Sequence, residues 1–222
     1  MNLYLTKKTD LIFSINVHEN INFLIYQLEN IKKYVKSNYI IILNANKIMY
    51  NEIKNNRYIK NNNSYIILYP DYLNKKRFHG SLTEGIYRNM QYALDNYNYK
   101  YFIVLSSRNI FYTELNPEKY KYFIKNSFKK RLNELSEKWH WPSILRSEIS
   151  KYIIRNNLYF SKSAHEGVTF DYNACKDILS FLNRNDYIRK NLFEWNSCME
   201  EFALQSICIN HSQPYYDIGN GT

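Results

Sequence analysis

The chain has 222 residues, a net charge of +10, and 45 % hydrophobic residues that include 23 Tyr and 12 Phe. That apolar content excludes a disordered polymer, and with only five Gly and four Pro there is no linker, so one domain is expected. No apolar run approaches the roughly 20 residues needed to span a bilayer, and the opening MNLYLTKKTD does not have the plan of a secretory signal.

The basic balance suits an anionic partner: nucleic acid, a membrane surface or a phosphate-bearing small molecule. Lys and Arg are spread along the chain, with short clusters only at 75–77 and 129–131, so a dedicated nucleic-acid arm is not expected. Cys175, Cys198 and Cys208 form no CxxC pair. They read as reduced thiols of a cytoplasmic protein without zinc-type spacing.

In chain order, residues 11–17 (LIFSINV) predict a strand that ends at His18-Glu19-Asn20. Asn20 can cap a helix carrying Ile21, Leu24, Ile25, Leu28, Ile31 and Val35 at three- and four-residue steps. Residues 39–43 (YIIIL) and 64–69 (SYIILY) predict two further strands, the first ending at Asn44-Ala45-Asn46 and the second stopped by Pro70. A helix over 80–96 follows, with Ser81 as its cap, and then a fourth buried strand over 101–105. Strand–helix alternation of this kind predicts an α/β domain around a mostly parallel sheet.

Beyond it, Pro117 opens a charged helix over about 118–138, followed by an aromatic corner at Trp139-His140-Trp141-Pro142. Residues 161–170 read as a loop with a short strand. Asp171 caps a helix running to 183, Ser197 starts another running to about 209, and 211–222 read as a coil tail.

The signatures GxGxxG, GxxxxGK[ST], HExxH and GxSxG are all absent from the sequence, which leaves the α/β core without a standard ligand motif. Its polar strand ends are the alternative, because open α/β sheets bind ligands beyond the carboxyl ends of their strands. His18, Asn44, Asn46, Ser106, Ser107, Arg108 and Asn109 all fall at such ends. Asn and Ser there can bond a base or ribose, and Arg108 can fork onto phosphate. Each position alone also fits a turn or a backbone contact. Ser197-Cys198-Met199-Glu200 has the form of a capping box, which gives Glu200 a structural task. It leaves Glu201 as a general base or as a charge near the helix dipole. His165-Glu166-Gly167 could orient an acceptor or close a turn, and Trp139 and Trp141 could stack on a sugar or lie in the core.

Four stretches together resemble GT-A glycosyltransferases of the core-2/I-branching N-acetylglucosaminyltransferase and xylosyltransferase group. LIFSINVHENINFLIYQLENI resembles that family's first strand, His and helix. FHGSLTEGIYRNMQYALDN with YNYKYFIVLSSRNIFY resembles its Ser-initiated helix, strand and "L-S-G-x-D-[FY]-P" turn. SKSAHEGVTFDYNACKDILSFL falls at its "G-S-x-W" segment, and SCMEEFALQS at its "P-D-E-x-x-[FW]-x-T" segment. The similarity covers about residues 11–210.

The resemblance implies an inverting transferase that moves a sugar from a nucleotide diphosphate, UDP foremost, to a glycan hydroxyl. Glu201 falls at the catalytic carboxylate, with Ser206 where the family has Thr. Val17, His18, Asn44, Asn46, Ser81, Ser106, Ser107, Arg108 and Asn109 would hold the donor, in a nucleotide-binding half at about 1–115. Trp141, His165, Glu166 and Gly167 would meet the acceptor, in a half at about 116–210. The family needs no metal, and Ser106-Ser107-Arg108 replaces the metal-binding Asp-x-Asp, although Mn²⁺ or Mg²⁺ remains open. Asn109 replaces the family's Asp, and His165-Glu166-Gly167-Val168 replaces "G-S-x-W", so a different acceptor is implied. The family's diphosphate-gripping basic residues lie further C-terminal than 222. Without a leading anchor, cytoplasmic bacterial or viral glycan assembly fits, in places peripheral to a membrane. The alternatives are a non-catalytic sugar-binding relative and a basic nucleic-acid-binding α/β protein.

Overall fold

The computed structural model describes residues 7–18, 20–74, 79–115, 130–135, 140–162, 166–212 and 215–217. Its centre is a six-stranded sheet. β2 (Leu11–Val17) lies between β3 (Tyr39–Ala45) and β6 (Tyr101–Ser106), and β4 (Ile66–Leu68) adds outside β3, all parallel. Beyond β6, β7 (Val168–Asp171) and β8 (Tyr215–Asp217) run antiparallel. A separate parallel pair joins β1 (Lys7–Lys8) to β5 (Tyr97–Asn98). The predicted α/β class with a mostly parallel sheet is the observed one.

Every residue of β2 is buried, as expected of a strand covered on both faces. The period-two pleat sends Leu11, Phe13, Ile15 and Val17 into one core, with Ile41 and Leu43 of β3 and Ile103 and Leu105 of β6. That core is closed by α1 (Ile21–Tyr34), α2 (Lys47–Asn55) and α3 (Arg57–Asn61) through Leu24, Leu28, Ile31, Met49, Ile53 and Ile59. Each such aliphatic side chain contributes about 1.5–3 kcal/mol by leaving water.

The opposite core holds Ile12, Ile42, Phe102 and Val104 under α4 (Ser81–Asn96), α7 (Tyr172–Arg184) and α9 (Ala203–His211). The short helices α5 (Trp141–Ile144), α6 (Glu148–Arg155) and α8 (Asp186–Glu194) complete that layer. Asn20 caps α1 by accepting from the Asn22 and Phe23 N–H groups, and Asp171 caps α7 by accepting from Ala174 N–H, both as predicted.

Ser81 is not a cap. It is the first residue of α4; Gly80 precedes it, and the Ser81 N–H donates to His79 Nδ1. Gly80 is pressed so closely onto the α8 backbone that a Cβ there would lie 1.8 Å from the Leu192 carbonyl oxygen. The tail is not all coil, because α9 runs to His211 and 215–217 pair with β7. Most of the helix predicted over 118–138 lies outside the described residues. Within it, Lys130 bridges Phe160 and 132–134 make one 3₁₀ turn, so that part is not α-helical. Among the described residues no helix is long and apolar enough to cross a membrane.

Candidate functional site at the carboxyl rim

The three central parallel strands end in register. Asn16 of β2 pairs with Asn44 of β3 on one side and with Ser106 of β6 on the other. All three fall on the pleat phase of Ile12, Ile42 and Val104, so their side chains form one polar row on the face beneath α4. The row is tied to the helix, because Asn16 Nδ2 donates to the Leu82 carbonyl at 2.8 Å. One layer deeper, Asn89 Nδ2 donates to Ser14 Oγ at 3.0 Å and to the Ile42 carbonyl at 3.1 Å.

β6 then closes a tight turn over Ser106-Ser107-Arg108-Asn109. Asn109 N–H donates to the Ser106 carbonyl, and Asn109 Oδ1 accepts from Ser106 N–H at 2.6 Å. Gln27 of α1, itself buried, donates through Nε2 to the Ser106 and Asn109 carbonyls at 2.7 and 2.9 Å. The turn is therefore held by the helix behind it. His18 lies across it: Nδ1 is 3.2 Å from the Asn16 carbonyl and Nε2 is 3.4 Å from Ser107 Oγ. His18, Asn44, Ser106, Ser107 and Asn109 thus meet at one edge, and the Arg108 side chain stands exposed on the same turn.

Three predicted donor residues take other positions. Val17 points into the core under α1, α2 and α3, leaving only its backbone at the rim. Asn46 spends its side-chain oxygen capping α2, accepting from Met49 N–H at 2.9 Å. Ser81 is buried in the first turn of α4.

The C-terminal half brings carboxylates beside this edge. Gly167, at φ 81°, donates its N–H to the Val104 carbonyl at 2.7 Å, which fixes Glu166 next to β6. A non-glycine residue there would pay for the left-handed conformation. The chain over Met199–Glu201 makes a 3₁₀ turn rather than the start of an α-helix. The expected capping box does not form: Ser197 Oγ is buried without a partner, and Glu200 turns inward instead of back toward Ser197.

Glu200 is 4 % exposed, in a narrow apolar cleft lined by Ile86, Val104, Val168, Phe170, Leu204 and Gln205. Its Oε2 meets no donor. Burial pushes the Glu200 carboxyl up to about 8, and the nearby Glu201 and Glu166 charges push it the same way. Glu200 is therefore protonated at neutral pH. Glu201 is only half-buried. Burial, with Glu200 and Glu201 close by, likewise raises the Cys198 thiol to about 12. Ligating atoms of Cys198, Glu200 and Glu201 all lie within 4.8 Å of one another.

On the acceptor side, Trp141 is a core residue. It is 5 % exposed and packs edge-on against Phe160 and Phe202 at 5.9 and 5.7 Å, so its ring offers no open face to a sugar. His165 lies outside the described residues. Sequence reasoning passed over Asn16, Gln27 and Asn89. The signal for Asn16 was present: within LIFSINV the even positions 14 and 16 are polar while 11, 13, 15 and 17 are apolar. No family model matches the chain, and a comparison with curated proteins finds no similar sequence.

Proposed function

We propose that the chain is an inverting glycosyltransferase using a nucleoside-diphosphate sugar, with the donor on the carboxyl rim. One observation carries the reading: the Asn44–Asn16–Ser106 row and the His18–Ser107 contact end on β6, whose Val104 also lines the cleft that holds Glu200. In this reading exposed His18 and the 106–109 turn meet the nucleotide, Asn16 and Asn44, buried beneath α4, hold that edge in place, and Arg108 neutralises phosphate oxygens as a bidentate fork. Glu201, half in solvent, takes the proton of the acceptor hydroxyl. The hydroxyl oxygen then bonds the anomeric carbon, the carbon–phosphate oxygen bond breaks, and the nucleoside diphosphate leaves with that electron pair. Neutral Glu200 is unsuited to be the base at pH 7, which favours its neighbour.

Turnover with a panel of nucleotide sugars, with and without Mn²⁺, together with calorimetric titration of UDP, tests the reading. With a donor identified, Glu201→Gln is expected to lower kcat by about 10²-fold or more while UDP binding is retained. Unchanged kcat in Glu201→Gln removes the base assignment, and absence of both UDP binding and turnover removes the transferase.

A further inference from the structure

Sequence spacing predicts no metal centre, yet among the described residues the fold brings one set of potential ligands together. We propose that Cys198, Glu200 and Glu201 form a three-ligand site for a divalent cation of the zinc class. Thiolate and carboxylate oxygen together suit zinc, a borderline-soft ion, better than magnesium or calcium, which prefer oxygen alone. The three ligand atoms already lie within 4.8 Å of each other. Ligands of a tetrahedral zinc stand about 3.5 Å apart, so side-chain rotation within the turn closes the set.

A second observation points the same way. Glu200 is only 4 % exposed, and its Oε2, sealed from solvent, meets no donor. A buried carboxyl oxygen without a partner is costly, and a cation that displaces the carboxyl proton is one of the few groups that satisfies it. The 3₁₀ turn over Met199–Glu201 stacks position 201 over position 198, one turn before it. Three protein ligands leave a fourth position for water or a substrate oxygen, the pattern of reactive rather than purely structural zinc.

A bound cation would occupy Glu201 and so compete with its role as base, and because the test uses no sugar, failure of the metal site and failure of the transferase reading are told apart. Chelator-treated full-length protein is titrated with Co²⁺ and, in competition, with Zn²⁺. One Co²⁺ per chain with a near-ultraviolet thiolate-to-cobalt band, displaced by Zn²⁺, is the expected result. Cys198→Ser abolishes the band, and Glu201→Gln, at a half-exposed position, keeps the fold and weakens Zn²⁺ binding at least about ten-fold. A folded wild-type chain that shows no band overturns the proposal. So does a band that survives Cys198→Ser and disappears in Cys175→Ser or Cys208→Ser.

Discussion

The two faces of the central sheet differ in a way that separates stability from ligand chemistry. Under α1, α2 and α3 the pleat offers Leu11, Phe13, Ile15 and Val17 in one uninterrupted apolar ladder. Under α4 the same strand offers Ile12, Ser14 and Asn16, and its neighbours offer Ile42 then Asn44, and Val104 then Ser106. Polarity rises toward the carboxyl rim on this face alone. One face can therefore carry buried polar groups because the other supplies an unbroken core, and because α4 binds back through Leu82 to Asn16 and through Asn89 to Ser14 and the Ile42 carbonyl.

Substitutions that exchange the roles of the faces test the contrast. The largest effect is expected on the apolar face, where Phe13→Ala removes a fully buried ring that meets Tyr39 and Phe111 edge-on. It should cost about 4 kcal/mol by urea denaturation and leave UDP affinity in the surviving folded fraction unchanged. Next comes the pH dependence set on the polar face by Glu200. Its folded pKa of about 8 lies above the ordinary 4.5, so the folded state holds a proton that the unfolded chain has released. The stability this gives is full below about 4.5 and is lost as pH climbs to about 8, with Glu166, Glu201 and Cys198 as the facing groups. Glu200→Gln should flatten that decline, and a denaturation midpoint that falls equally in both proteins between these pH values would count against a buried neutral carboxyl.

Asn89→Ala should cost about 2 kcal/mol, because it strips Ser14 Oγ and the Ile42 carbonyl of a buried donor. The smallest loss of stability, about 1 kcal/mol, is expected for Asn16→Ala, which breaks the bond to the Leu82 carbonyl. That same change should weaken UDP binding about ten-fold or more in calorimetry. If Asn16→Ala destabilised as much as Phe13→Ala while leaving UDP binding intact, the division of labour between the faces would be wrong.

The N-terminal half was legible because its apolar spacing is strong. Residues 11–17 and the helix begun at Asn20 stand where the periodicity puts them. Helices α2 and α3 were not, since only Met49, Ile53 and Ile59 are buried among Lys, Asn and Tyr. Helix α8 hides for the same reason, with Ile188 and Leu192 its only buried residues. At the site, the convergence of His18, Asn44 and Ser106 followed from strand order, but the fate of Glu200 did not. Ser-x-x-Glu announces a cap, and nothing local reveals that Phe202 takes φ −135° and ψ −51°, splitting the segment into a 3₁₀ turn and α9. That break turns Glu200 from the helix surface into the cleft. Trp141 shows the reverse ambiguity, since the aromatic that suits a sugar face also suits the contacts with Phe160 and Phe202.

The last strand, 215–217, borders the sheet by lying along β7. A protein cut after Ser212 would bare a row of main-chain donors and acceptors beside Val168, Thr169 and Phe170, an adhesive margin of the sort that recruits strands from other molecules. Shortening this end should therefore show first as self-association, before any loss of the parallel centre.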